Sequence, residues 1–254
     1  MGRATALLTA RVAGAAALVG ALLAYYLERD VLPNLSEGWD RAFLSFVLIP
    51  ATFALILLVL PLWRARGLLL VGVALAVLAL VLEAGDFNIP ANFTKLAAMT
   101  ALGFAFLALF ESVSWVVLVA ALIPWVDAYS VWRGPTRKIV EEQRDLFTTL
   151  SVAFPVPGER GSANLGLPDV LFFALFLSAA ARFRLRIGWT WVALVASFAV
   201  TLLAAAAFDV AGLPALPLLS LAFLAPNADL LWRRLRERPT PNGSPSRPEP
   251  ERAE

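Results

Sequence analysis

Two acidic residues stand where acidic residues are expensive. Asp127 lies in the apolar run W-V-D-A-Y-S-V-W, and Asp169 in G-L-P-D-V-L-F-F-A-L-F-L. Placing a carboxylate in hydrocarbon costs about 2.5–3.5 kcal/mol even on a lenient insertion scale, so such a residue pairs, touches water or does work. Two carboxylates that face each other cannot both ionise; they share a proton. The neutral one can then donate to a carbonyl oxygen while the ionised one takes a proton from water. That is general acid–base hydrolysis of a peptide bond without a covalent intermediate. The same pair also suits an ion or proton site in a transporter, or a structural charge pair. Taken alone, two intramembrane aspartates favour those commoner uses.

What the chain lacks narrows the chemistry. Its 254 residues contain no histidine and no cysteine. That excludes Ser-His and Cys-His nucleophilic pairs, thiolate metal sites, disulfides and the H-E-x-x-H zinc motif. Neither a metal site nor a cofactor is expected. The net charge of +2 comes from scattered arginines that form no basic stripe interleaved with aromatics, so nucleic acid is not an expected partner. Arginine outnumbers lysine 19 to 2, a bias that fits a prokaryotic source with a high-G+C genome.

The elements that must position the aspartates are membrane helices. The chain is 60% hydrophobic and only 16% charged, with a mean hydropathy of +0.76; soluble domains carry roughly 25% charged residues. Apolar residues fall in long blocks rather than amphipathic stripes. The expected fold is all-α and polytopic, with eight spans near residues 4–27, 41–63, 67–83, 95–110, 112–132, 168–181, 188–208 and 214–231. A ninth would have to hide in these divisions. A crossing helix needs about 20 residues, so the fourth and sixth must borrow flanking ones. The first block resembles a signal peptide, but seven further spans favour an uncleaved helix. Residues 1–238 read as one membrane domain, 133–166 as its long polar loop, and 239–254 as a disordered proline-rich tail.

Three blocks around the aspartates change the reading. After Asp127 come Gly134-Pro135-Thr136-Arg137 and Val140-Glu141; Asp169 ends Gly166-Leu167-Pro168-Asp169; and Pro214-Ala215-Leu216-Pro217 opens the last span. Their order and placement resemble the presenilin and signal-peptide-peptidase family of intramembrane aspartyl proteases. That family carries G-P-x-R-x-x-V-E after its first aspartate, G-x-G-D at its second, and P-A-L on a later span. The resemblance covers about residues 122–232, within a catalytic part of about residues 112–232. It implies that Asp127 and Asp169 are the catalytic dyad, and that Gly166, Leu167, Pro168, Pro214, Ala215 and Leu216 support the site or bind substrate. It further implies that the substrates are transmembrane helices of other membrane proteins or remnant signal peptides, cut in the lipid bilayer. With the arginine bias, the expected location is a prokaryotic plasma membrane. A helix hides its own amides, so a substrate must unwind before water can attack; exposed backbone beside the dyad could hold it as an added strand. A member that has lost activity is the alternative within the family.

Two departures from the pattern bear on the site. Val126 stands where the family usually has tyrosine, and Pro168 replaces the second glycine. Proline fixes φ and removes a donor, yet it is accepted in the first helical turn. It is expected to hold the first helical position here, with Leu167 pushed toward extended backbone.

The remaining polar residues have structural readings. Glu111 ends a helix, and Asp209 and Asp229 sit near span ends; Asn227 and Asp229 are lesser candidates for the cavity lining. Asn92-Phe93-Thr94 matches a glycosylation sequon by chance. Most tryptophans mark span ends, as an interfacial belt does. Arg64, Arg66, Arg182, Arg184, Arg186, Arg233, Arg234, Arg236 and Arg238 gather beside helix ends on one side, which places that side and both termini in the cytoplasm. Arg29, Arg41, Lys95 and the 133–166 loop fall on the other side.

Overall fold

The computed structural model describes residues 2–132, 148–159, 161–208 and 213–236. The G-P-x-R-x-x-V-E block, Asp209 and the 239–254 tail lie outside them. The chain opens with α1 (Gly2–Glu28), then α2 (Glu37–Phe43), which runs through a π turn into α3 (Ile49–Val59). Next come α4 (Leu68–Ala84), α5 (Asn88–Phe106) and α6 (Val113–Trp132). A hairpin follows, β1 (Ser151–Pro155) and β2 (Ser162–Gly166), and then α7 (Leu167–Arg182), α8 (Ile187–Ala207), α9 (Leu216–Leu224) and α10 (Ala228–Arg236).

A helix coincides with each expected block. Among the described residues, five stretches are long and apolar enough to cross a membrane: Thr5–Val31, Glu37–Arg64, Asn88–Leu109, Val113–Ser130 and Ile187–Ala207. Their outer faces are apolar, with Phe46 69% and Trp125 77% exposed. Soluble proteins rarely leave such continuous apolar surface uncovered. This is a membrane-embedded helical protein. The fourth block does borrow flanking residues, since α5 begins at Asn88. α4 has 17 residues and α7 has 16, so α7 rises only about 24 Å.

α7 is the axis of the bundle. From Phe173 to Ala180 every residue is buried, as expected of a helix apolar on all sides. Phe173 meets Phe53 of α3 at 4.4 Å between ring centroids and Phe198 of α8 at 5.9 Å, and Phe176 stacks on Phe223 of α9 at 4.9 Å. On the α5 side, a Cβ at Gly103 would lie 2.5 Å from the Leu171 carbonyl oxygen and 2.7 Å from Ala174 Cβ. Only glycine lets α5 and α7 pack this closely.

The bundle is mostly helical, as expected of an all-α membrane protein, and the hairpin is an addition to it within the polar loop. β1 and β2 are antiparallel, pairing Ser151 with Gly166 through to Pro155 with Ser162. Val156-Pro157-Gly158-Glu159 turns the chain, with Glu159 N–H donating to the Val156 oxygen at 3.3 Å and Gly158 at φ +69°. Proline followed by a left-handed glycine is what a type II turn requires. The turn is pressed on the segment after α1: Gly158 N–H donates to the Arg29 oxygen at 2.9 Å, and a Cβ on Gly158 would stand 2.7 Å from the Leu32 oxygen.

Lys95 is not a free flanking charge. It lies two turns inside α5, only 6% exposed, and its Nζ pairs with Glu83 of α4 at 2.6 Å. It also donates to the carbonyls of Thr148 and Ser151. The bilayer tolerates a buried ammonium here because a carboxylate and two carbonyls surround it.

Candidate active site

Asp127 lies on α6, close to the bundle end where the hairpin sits, and Asp169 lies in the first turn of α7. Both are half-buried. α6 touches α7, and α9 packs on both, so the two carboxylates come within Coulombic range of each other.

Each aspartate stands at a helix N-terminus, where backbone N–H groups lack intrahelical partners. α9 starts at Leu216, with Ala215 as its N-cap. Leu216 N–H donates to Asp127 Oδ2 at 3.0 Å. Asp169 is the third residue of α7, beside the N-cap Gly166, the position from which a side chain commonly reaches back toward the helix start. Asp127 is therefore held by a fixed backbone donor, and both carboxylates lie at the positive ends of helices.

Ala215 and Leu216 are buried, and Pro214 and Pro217 are half-buried. Pro217 occupies the first turn of α9, where it costs no hydrogen bond. Gly166 is in extended backbone, φ −58° and ψ 142°. A Cβ there would stand 3.1 Å from Asp169 Oδ2. The second glycine of the family signature is thus missing, but the first still abuts the carboxylate.

Pro168 departs slightly from expectation. α7 begins at Leu167, so Pro168 is its second residue, and the extended residue is Gly166 rather than Leu167. Leu167 N–H closes the hairpin by donating to the Leu150 oxygen at 3.0 Å, which fixes it despite the proline that follows. Pro168 is exposed, and its missing N–H is one that a helix start leaves unpaired in any case.

Asn227 and Asp229 do not line this site. Asn227, fully buried, donates to Thr190 Oγ1 and the Phe223 oxygen and accepts Arg186 N–H. Asp229 takes a two-pronged contact from Arg186 at 2.7 and 2.8 Å. Together they clamp the opposite end of the bundle. Glu111 stands exposed in the bend between α5 and α6.

The sequence reading missed a group of polar residues around β1. Asn92, only 8% exposed, binds both backbone groups of Ala153: its Nδ2 donates to the oxygen at 2.9 Å, and its Oδ1 accepts the N–H at 2.7 Å. Tyr26 donates to the same oxygen and Tyr25 to the Pro155 oxygen, both at 2.7 Å. An asparagine buried in an apolar helix was the available signal, and V-P-G-E announced the turn. Among the described residues no cluster of three or more acidic side chains could hold a metal ion.

Comparison with protein-family models gives no match to this chain, and comparison with curated proteins gives none either.

Proposed function

We propose that this protein is an intramembrane aspartyl endopeptidase of the presenilin and signal-peptide-peptidase type, cutting transmembrane helices of other proteins with Asp127 and Asp169. The observation that carries the reading is the placement of two carboxylates on neighbouring helices, with Asp127 bonded to the helix that opens on Pro214, Ala215 and Leu216. Three separate segments that resemble the family's motif regions converge there: α6, the Gly166–Asp169 turn and the start of α9.

The reaction needs a shared proton and a water. One carboxyl donates to the scissile carbonyl oxygen, and the other takes a proton from the attacking water; the tetrahedral intermediate then collapses with protonation of the leaving nitrogen. Leu216 N–H holds Asp127 in place through both steps, and Gly166 packs against Asp169. The substrate, unwound at the cut, lies along the open edge of β2, which ends at Gly166 next to Asp169.

In this reading α1 to α10 make eight crossings, with α4 and α7 short and the last crossing formed by α9 and α10. Both termini and the 182–186 turn are cytoplasmic, and the hairpin faces outward.

The test is purified protein with a synthetic transmembrane-helix peptide, products identified by mass spectrometry. Cleavage at bonds inside the helical stretch supports the proposal. Intact peptide, together with proton or ion flux into liposomes that depends on Asp127, favours the transporter.

A further inference from the structure

A two-stranded sheet has two outer edges, each presenting backbone groups that seek a partner. The ladder shows which residues turn outward. Leu167 N–H bonds to Leu150, and Val156 N–H to Gly161, so the hydrogen-bonded pairs alternate inward from those ends. Ser151, Ala153 and Pro155 of β1 therefore turn their backbone groups away from β2. Ser162, Asn164 and Gly166 do the same on the other edge.

The two edges differ completely. On β1 every outward carbonyl is taken. Lys95 Nζ meets Ser151, Asn92 Nδ2 and the Tyr26 hydroxyl meet Ala153, and the Tyr25 hydroxyl meets Pro155. Asn92 Oδ1 also takes Ala153 N–H, and Pro155 has no N–H to offer. α1 and α5 thus stand in for a third strand, with the Asn92 amide copying a backbone neighbour. On β2, among the described residues, nothing bonds the backbone of Ser162 or Asn164, and Asn164 Oδ1 is buried without a partner.

We propose that Asn92 and Tyr26 are positioning residues that close β1 to strand addition and set the height of β2, so that they select which substrate bond meets Asp169. This rests on the protease reading above. Asn92 grips both backbone groups of one residue, Ala153, so it fixes the hairpin along its own length as well as against the bundle. A strand advances about 3.3 Å per residue, and its groups alternate sides. A hairpin freed to slip would present the substrate displaced by whole residues, and the cut would move with it.

The experiment compares wild type with Tyr26→Phe and Asn92→Asp on one transmembrane-helix peptide, recording product ends, turnover and Tm. Tyr26→Phe keeps the ring against Phe93, 5.2 Å away; Asn92→Asp keeps the shape and loses the donor. Gly72→Ala, whose new Cβ would crowd Leu102 at 2.7 Å, is a stability control far from the hairpin. Both test variants are expected to spread the product ends, raising neighbouring cuts relative to the main one by roughly fivefold, the factor one hydrogen bond is worth. The control should lose Tm and keep its product ends. Unchanged product ends in both test variants would overturn the proposal.

A second readout needs no cleavage: amide exchange in the Asp127→Ala protein with and without the peptide. Ala153 should be protected in both conditions, and Asn164 only with peptide. Protection appearing at neither Asn164 nor Ser162 overturns the one-sided edge. If wild type never cuts but Asn164 is protected by peptide, the protease reading falls while the edge assignment stands.

Discussion

Leu216 N–H donates to Asp127 Oδ2 at 3.0 Å, across the gap between α6 and the start of α9. The first free N–H of one helix is thereby satisfied by a carboxylate on another. Replacing the Asp127 side chain removes that cap, so its loss is felt in α9 as well as in chemistry. Asp127→Asn, which keeps an acceptor oxygen, should retain a Tm closer to wild type than Asp127→Ala. The expected gap is about 1 kcal/mol, the usual difference made by a helix cap. Identical Tm values would mean that the bond holds nothing.

Gly166→Ala should lower peptide turnover by about ten- to a hundredfold, the usual penalty for a misplaced reacting group. The new methyl would stand 3.1 Å from Asp169 Oδ2, closer than a comfortable contact. The backbone there is ordinary extended geometry, so the fold should tolerate alanine. Circular dichroism and Tm near wild type, with turnover reduced, is the expected pairing.

Gly103→Leu acts through packing. Its side chain would displace α7 at Leu171 and Ala174, one turn below Asp169. Overpacking of this kind costs about 1–3 kcal/mol, and turnover should fall further than stability predicts. Chemical denaturation in detergent, read alongside activity at matched folded fraction, separates the two.

Lys95→Met and Glu83→Leu should each cost about 3–5 kcal/mol, because either leaves a buried charge alone. The double variant should recover much of the loss. The side chains are 7% and 18% exposed, which leaves little water to screen a lone charge. Additive losses in the double variant would contradict the pairing.

Pro168→Gly should keep activity and lose about 1 kcal/mol of stability through a looser unfolded chain. Pro168→Leu should lower activity by crowding the mouth of the site, since Pro168 is exposed beside Gly166. Normal cutting by the leucine variant, with an inert glycine variant, would show that residue 168 does not act through space or torsion.

The helices were legible because apolar blocks of about 20 residues have few other uses, and Asp127 and Asp169 stood out as charges inside such blocks. The hairpin was not. Its strands are five residues each, and Asn92, Tyr25 and Tyr26, which hold it, lie far away in the chain. No short-range pattern announces a partner at that separation; the Pro157-Gly158 pair marked only the turn. Lys95 was misread for the same reason. In the sequence it reads as a flanking charge, and only the fold sets Glu83 of the preceding helix against it.

The most direct test is turnover of a transmembrane-helix peptide by wild type, Asp127→Ala and Asp169→Ala, each shown to be folded in detergent. If the two carboxylates act as one shared-proton unit, wild type cuts and each single variant falls to background, because losses within such a unit do not add. Near-wild-type turnover by either variant would contradict the account.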